Sequence, residues 1–342
     1  MPTVHLRTGR LALKRGLIRS ANGCYMKKKV IFLDKTHPVL QETLDRAGYH
    51  CTDASSLSRS EVLEVMPDFE GLIVRSRIRI DRELMERSPK LEFIGRSGVG
   101  LEHIDLDCAE ERGIAVLPSP EGSRNTVGEH TIGLLLCLLN NLARADREVR
   151  KGEWIREGNR GVELQGLCVG IIGYGNMGTA FARRLSGFGC RVLAYDKFKD
   201  SWGDAHAEEA AMETLFELAD VVSLHIPYSP GNRYLANAAW INRFRKNIWL
   251  VNTSRGMVLN TADLVDGLQS GKIRGAALDV IEYEEMSFAH LDPERLPAPF
   301  QYLRQAPNVL LSPHIAGWSD RSEYGHALAL AEKITASFAA ES

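Results

Sequence analysis

From Lys29 onward, short apolar runs alternate with stretches whose apolar positions recur at helical spacing. Residues 30–33, 72–74, 93–95 and 114–117 read as strands, being rich in β-branched and aromatic residues and bounded by Gly, Pro or Asp. Residues 39–47, 61–65, 82–86 and 106–111 read as the helices between them. Near-continuous apolar strands separated by amphipathic helices imply a parallel sheet covered on both faces. A long helical stretch, 127–150, follows; it is apolar in its first half and rich in arginine at its end. Six further strands are expected at 168–172, 191–195, 221–224, 248–251, 276–278 and 309–311, and a last, alanine-rich helix at 322–338. The pattern therefore predicts an α/β chain with two doubly wound parallel sheets. The expected division is an extension (1–25), a first domain formed by 26–125 together with 315–342, and a second domain (126–314).

Residues 1–25 carry Arg7, Arg10, Lys14, Arg15 and Arg19, no acid, and no sustained periodicity. They are expected to be a poorly ordered extension ahead of Met26, although an arginine-rich, acid-poor leader also fits a transit peptide. The whole chain has 342 residues, 44% hydrophobic and 25% charged, which is the composition of a globular protein of about two domains. With 42 basic against 44 acidic side chains there is no positive field to hold a phosphodiester backbone, so general nucleic-acid binding is excluded. The longest apolar run, around 131–139, falls short of the ~20 residues a bilayer requires, which excludes a membrane-spanning role. Cys24, Cys51, Cys108, Cys137, Cys168 and Cys190 form no C-x-x-C pair and sit near no histidine at ligand spacing. They read as small apolar side chains of a reducing, cytoplasmic protein without a metal site.

Gly173, Gly175 and Gly178 spell G-x-G-x-x-G between the strand at 168–172 and a helical stretch at 179–188, and Asp196 ends the next strand. That context points to a dinucleotide. Gly173 permits the turn, Gly175 admits the pyrophosphate, Gly178 allows helix and strand to pack, and the helix start at Asn176 and Met177 offers amides to phosphate. Asp196 would accept both adenosine ribose hydroxyls and repel a 2′-phosphate, so NAD is expected over NADP; Lys197 beside it softens that preference.

Three more segments each follow a predicted strand: Asn252–Gly256 with Arg255, Ala277–Glu284 with Asp279, and Ser312–Gly317 with His314. The carboxyl edge of a parallel sheet is where open α/β folds bind ligands. An arginine, a carboxylate and a histidine converging there suit oxidation of a 2-hydroxy acid. Histidine exchanges the hydroxyl proton, a carboxylate fixes its tautomer, and a planar guanidinium bridges the substrate carboxylate and carbonyl oxygen. Glu282 and Glu284 are both candidates for the carboxylate.

This combination resembles the D-isomer-specific 2-hydroxyacid dehydrogenases over nearly everything from about Lys29 to the end, with further matches at 96–100 and 127–130. The resemblance implies a flavodoxin-like substrate domain and a Rossmann domain with the cleft between them. It selects Glu284, giving Arg255, Glu284 and His314 as the catalytic trio, with His314 as acid–base. It adds His225, Pro227, Thr253 and Asp279 to the NAD contacts, Asp279 at the carboxamide end of the nicotinamide. It assigns the substrate carboxylate to the backbone around Ser97, Gly98, Val99 and Gly100.

Within the family, Arg75-Ser76-Arg77 resembles the place where phosphoglycerate dehydrogenases meet the substrate phosphate, and 118–124, 149–152 and 314–318 also resemble stretches of phosphoglycerate dehydrogenases. This implies D-3-phosphoglycerate as substrate, with a glyoxylate, hydroxypyruvate or D-lactate type reductase as the alternative. An NAD-sensing corepressor on the same fold is the alternative from another class. His103 departs from the asparagine common in the family, and Trp318 from a smaller residue. Trp154, outside either predicted sheet, suggests a subunit interface, and family members pair through this region, so a homodimer is expected.

Overall fold

The computed structural model describes residues 27–284 and 297–338. The expected extension at 1–25 therefore lies outside the described residues.

Five strands, β1 (Lys29–Phe32), β2 (His50–Asp53), β3 (Gly71–Val74), β4 (Phe93–Arg96) and β5 (Ala115–Pro118), form a parallel sheet in the order β2-β1-β3-β4-β5. Alternation along each strand divides the side chains between two faces. Ile31, Leu33, Leu72, Val74 and Ile94 pack with Val62, Leu84, Met85 and Cys108 from the helices on one side. Val30, Phe32, Ile73 and Phe93 pack with Leu40 and Leu44 on the other. That second face is completed by Ala327, Leu330, Ala331 and Ile334 of the Asp320–Ser337 helix, so the end of the chain returns to the first sheet. Each fully buried Leu, Ile or Phe is worth roughly 1.5–3 kcal/mol, which anchors the return.

Seven strands, β6 (Cys168–Ile172), β7 (Arg191–Tyr195), β8 (Glu208–Glu209), β9 (Val221–Leu224), β10 (Ile248–Asn252), β11 (Ile273–Leu278) and β12 (Val309–Leu311), form the second sheet in the order β12-β11-β10-β9-β6-β7-β8, again parallel throughout. Val169, Ile171, Val221, Val251 and Ala277 face one layer of helices, and Ile172, Leu224, Leu250 and Leu278 the other. The strand order reverses between β1 and β3 in the first sheet and between β6 and β9 in the second, and such switch points open the crevices where doubly wound sheets take ligands.

Three elements differ from the sequence pattern. β2 was not expected: its residues, His-Cys-Thr-Asp, form a half-exposed edge strand that lacks an apolar run. β8 is a two-residue edge strand of glutamates, equally silent. The long helix expected at 127–150 is two helices, Arg124–Leu139 and Leu142–Arg150, because Asn141 takes a left-handed conformation at φ 53°. Asparagine tolerates that region better than most residues, and the break redirects the charged second helix away from the apolar first.

Candidate active site between the two sheets

At the carboxyl end of β6, Gly173 has φ +92°, and a Cβ there would stand 2.6 Å from the carbonyl oxygen of His225. A Cβ on Gly178 would meet the Gly173 carbonyl at 2.1 Å, so the helix start lies directly against the turn. Gly175 faces open space, with nothing within 4 Å of its missing Cβ. The helix Asn176–Leu185 that follows has no side-chain cap, and Asn176 is exposed with Met177 partly so. Uncapped amides and the positive end of the helix dipole suit a pyrophosphate. Both Asp196 oxygens hold backbone, accepting from Tyr174 N at 2.8 Å and Phe198 N at 2.9 Å; the carboxylate keeps further lone pairs for ribose hydroxyls. The residues present therefore fit a dinucleotide.

A feature absent from the sequence reading closes this corner. The Tyr174 ring stacks on Trp202 at 4.2 Å, its hydroxyl donates to Asp204 at 2.9 Å, and Lys199 Nζ donates to the Tyr174 carbonyl at 2.6 Å. Trp202, Asp204 and Lys199 belong to an irregular segment after β7 that has no periodicity to announce it. At the end of β9, His225 Nε2 pairs with Ser223 Oγ at 2.8 Å, while its Nδ1 is buried with no hydrogen-bond partner. Burial pushes this imidazole down to about 3, so it is neutral. Pro227 is exposed just beyond it. Thr253 shares a 3.1 Å hydrogen bond with Thr131 of the Arg124–Leu139 helix.

Adjacent strands β10, β11 and β12 deliver the remaining groups. Asn252 Oδ1 accepts from the backbone and hydroxyl of Ser254, and its Nδ2 donates to the Arg255 carbonyl, tightening the turn that presents Arg255. A Cβ on the next residue, Gly256, would lie 1.9 Å from the Ile281 carbonyl, so the loops after β10 and β11 are in direct contact. Glu284 Oε2 stands 2.6 Å from His314 Nδ1, and its Oε1 accepts from Ile281 N. Glu282 instead accepts from the backbone and hydroxyl of Thr261, both at 2.9 Å, at the start of the Thr261–Gln269 helix. The two candidate acids thus have separate tasks.

Asp279, expected to face the nicotinamide, is wholly buried here. Its oxygens accept from Ser312 Oγ at 2.6 Å, Ile315 N at 3.0 Å and Ala316 N at 2.8 Å, with His130 Nε2 at 3.4 Å. Burial alone would raise this carboxyl, but those donors outweigh it and hold it below the usual carboxylate range. Its carbonyl also accepts from His314 N at 2.8 Å. Asp279 shapes the loop that carries His314, and this arrangement leaves it no exposed surface. His130, not singled out from the sequence as a site residue, belongs to the same network.

From the first sheet, the loop after β4 approaches these groups. Arg96 is largely buried, and its guanidinium donates to the carbonyls of Ser97 and Gly100 at 2.5 and 3.0 Å. Among the described residues it has no carboxylate within ion-pair distance. Burial, then Arg255 and Arg75, push it down to about 10, still charged at neutral pH. Gly98 N is taken by Ser119 Oγ at 2.9 Å, whereas the amides of Val99 and Gly100 have no acceptor among the described residues. Glu102 crosses to the second sheet, its Oε1 2.6 Å from Arg255 Nε. The opposite charges, Arg255 first, outweigh burial and hold the Glu102 carboxyl below its usual range.

The Arg75-Ser76-Arg77 segment leaves β3 at the first sheet's switch point, where Asp34 Oδ2 accepts from Arg75 N at 2.6 Å. The two arginines are not equivalent. The Arg77 guanidinium donates to the carbonyls of Leu33, Leu57 and Ala54, which ties three loops together. Arg75 lies beneath the exposed Trp318 ring at 5.3 Å and 3.6 Å from Glu323. Ser76 is exposed.

Comparison with known proteins agrees with this layout. Residues 132–316 match the family model described as D-isomer specific 2-hydroxyacid dehydrogenase, NAD binding domain. A D-3-phosphoglycerate dehydrogenase of Archaeoglobus fulgidus is 31% identical over 87% of the chain, and the chain spans about half of that protein, 55% of its length. A hydroxypyruvate reductase of Thermotoga maritima is 33% identical, the match covering 81% of this chain and 88% of that one. The crystal structure of a D-lactate dehydrogenase from Aquifex aeolicus, complexed with NAD and lactic acid, superposes with a TM-score of 0.75 at 29% identity, covering 90% of this chain and 95% of that one.

Proposed function

We propose that this chain, which belongs to the D-isomer-specific 2-hydroxyacid dehydrogenase family, oxidises a D-2-hydroxy acid with NAD, and that the acid is D-3-phosphoglycerate. The observation that carries the reading is the 2.6 Å contact of His314 with Glu284 in loops that leave adjacent strands beside Arg255. Glu284 holds the imidazole through Nδ1 and fixes its tautomer, and Nε2 is the atom that would take the substrate hydroxyl proton as the carbonyl forms, or return it in the reverse direction. Arg255, with the unpaired amides of Val99 and Gly100, holds the substrate carboxylate and so orients the reacting carbon. Gly173, Gly175, Asn176, Met177, Gly178 and Asp196 would hold NAD, with His225, Pro227 and Thr253 along its path. When bound, its nicotinamide ring supplies the hydride acceptor. Asp279 acts here through the His314 loop.

In the phosphoglycerate reading, Arg75 takes the phosphate. One observation favours a second reading, an unphosphorylated acid such as D-lactate or D-glycerate, or the reduction of an oxo acid, hydroxypyruvate to D-glycerate or glyoxylate to glycolate. Arg77 is spent on carbonyls, and Arg75 already faces Glu323, so the local charge is not that of a two-arginine dianion site. Formation of NADH by the purified chain with D-3-phosphoglycerate, D-glycerate and D-lactate decides between them. A higher kcat/KM for either unphosphorylated acid would remove the phosphate reading, and inactivity on all of them and on both oxo acids would remove the dehydrogenase.

No described helix is long and apolar enough to cross a membrane. Trp154 and Ile155, both exposed beyond the Leu142–Arg150 helix, support a two-fold homodimer. Sedimentation as a monomer at micromolar concentration would oppose it.

A further inference from the structure

We propose that Glu102 is a positioning residue that holds the Arg255 guanidinium, from across the cleft, in the orientation that receives the substrate carboxylate. The proposal rests on the dehydrogenase reading above and extends it to a residue outside the trio.

A guanidinium has five donors in a rigid plane, so fixing two of them fixes where the rest point. Arg255 is held twice. Its Nε donates to Glu102 Oε1 at 2.6 Å, from a loop 153 positions away in the chain, and its Nη1 donates to the Ser254 carbonyl at 2.7 Å. Nη2 then lies over Gly100: a Cβ there would come within 2.5 Å of Nη2 and 2.3 Å of Glu102 Oε2. The Gly100 residue, whose amide has no acceptor among the described residues, and Nη2 of the Arg255 guanidinium therefore lie side by side. Amide and guanidinium together make a carboxylate site, and they come from opposite sheets. Glu102 is the ion-pair partner that brings them together.

Its surroundings suit the task. Glu102 is flanked by two cations, Arg255 after β10 and Arg96 at the end of β4, and those charges keep it ionised at neutral pH. Arg96 in turn donates to the Gly100 carbonyl, which also pins the loop. With Glu102 removed, Nε loses its acceptor and the guanidinium swings about the Ser254 contact alone. The rival role is a decoy, in which the Glu102 carboxylate sits in the substrate's place and must be displaced. The two roles predict opposite signs: removing a holder weakens substrate binding, whereas removing a decoy strengthens it.

The test uses the full chain as wild type, Glu102→Gln and Glu102→Ala. KM and kcat are measured with the best acid of the panel, oxamate affinity in the presence of NADH by calorimetry, NAD affinity by fluorescence, and the thermal midpoint. For Glu102→Ala the expected result is a rise in KM of about tenfold or more with a parallel loss of oxamate affinity, a smaller fall in kcat, and NAD affinity within about twofold. Glu102→Gln, which keeps an oxygen for Nε, is expected to fall between. If the alanine variant does not fold, the isosteric glutamine variant decides, with a KM rise of about threefold expected. An unchanged KM, or tighter oxamate binding, overturns the proposal. A wild type inactive on every acid defeats the underlying reading, whereas an active wild type with an indifferent Glu102→Ala defeats this proposal alone.

Discussion

His314 and Glu284 face each other at 2.6 Å although 30 positions separate them, because their loops leave the neighbouring strands β12 and β11 at the same edge. His314 makes this contact from the left-handed region, at φ 55°, with its amide donating to the Asp279 carbonyl. That conformation costs an L-residue about 1 kcal/mol, and the Asp279 network holds it.

His314→Ala is expected to lower kcat by about a hundredfold or more while NAD affinity, measured by fluorescence, is kept. His314→Gly should lose as much turnover yet melt higher than His314→Ala, because glycine relieves the positive φ. A second contrast tests the neighbouring acids. Glu284→Gln is expected to depress kcat with little change in melting, whereas Glu282→Gln is expected to lower stability by about 1 kcal/mol, through the Thr261 helix start, with kcat nearly intact. An inactive Glu282→Gln with unaltered stability would reverse the assignment of the two acids.

The glycines of the cofactor turn are separable. Gly175→Ala meets open space, so it is expected to fold with a wild-type melting curve while binding NAD about tenfold more weakly, the methyl occupying the approach of the pyrophosphate. Gly178→Ala would push against the Gly173 carbonyl and is expected to lower the melting temperature as well. Equal NAD affinity in wild type and Gly175→Ala would place the pyrophosphate elsewhere.

Arg75 and Arg77, one residue apart, should behave as different kinds of residue. Arg77→Ala removes the side-chain donor to the carbonyls of Leu33 and Leu57, while Ala54 keeps its bond from Leu57 N, and is expected to cost about 1–3 kcal/mol of stability in urea unfolding. Arg75→Ala is expected to be close to neutral in stability and to change the ranking of substrates, most of all for a phosphorylated acid. Loss of stability in Arg75→Ala alone would contradict the division.

Imidazoles lowered by burial, His103 and His225 most strongly and His326 as well, make the fold acid-sensitive. Burial lowers His103 to about 4 and His225 to about 3, against an ordinary value of 6.5. The unfolded chain therefore takes up protons first as pH falls. Their contribution is complete above about 6.5 and is lost as pH drops toward the folded values. The melting temperature is expected to fall between pH 7 and pH 5, with His103 alone costing on the order of 2 kcal/mol at the lower end. His103→Asn should flatten that slope, because asparagine carries no titrating proton. A slope unchanged in this variant would remove His103 as a cause.

The order of apolar runs was enough to indicate two parallel sheets, because strands buried on both faces must be apolar throughout and Gly or Pro must end them. The turn at Gly173, Gly175 and Gly178 was legible for a similar reason: tight backbone approach admits only glycine, so the requirement is written in the residues themselves. Strand β2 and the edge pair Glu208–Glu209 were not legible, since edge strands need no apolar pattern, and the break at Asn141 rests on one backbone angle. The carboxylate was ambiguous by residue type alone; distance to His314 or to Thr261 separates Glu284 from Glu282. Likewise Arg75 and Arg77 look alike in sequence and differ only in what lies within reach, Trp318 and Glu323 for the one and three carbonyls for the other. Local chemistry is encoded locally, so the chain alone determined its sheets and its dinucleotide turn. Pairings such as Glu102 with Arg255 and Asp279 with the His314 loop join segments tens of residues or more apart, and only the tertiary structure decided them, the first by bringing loops of the two sheets together and the second by setting β11 beside β12.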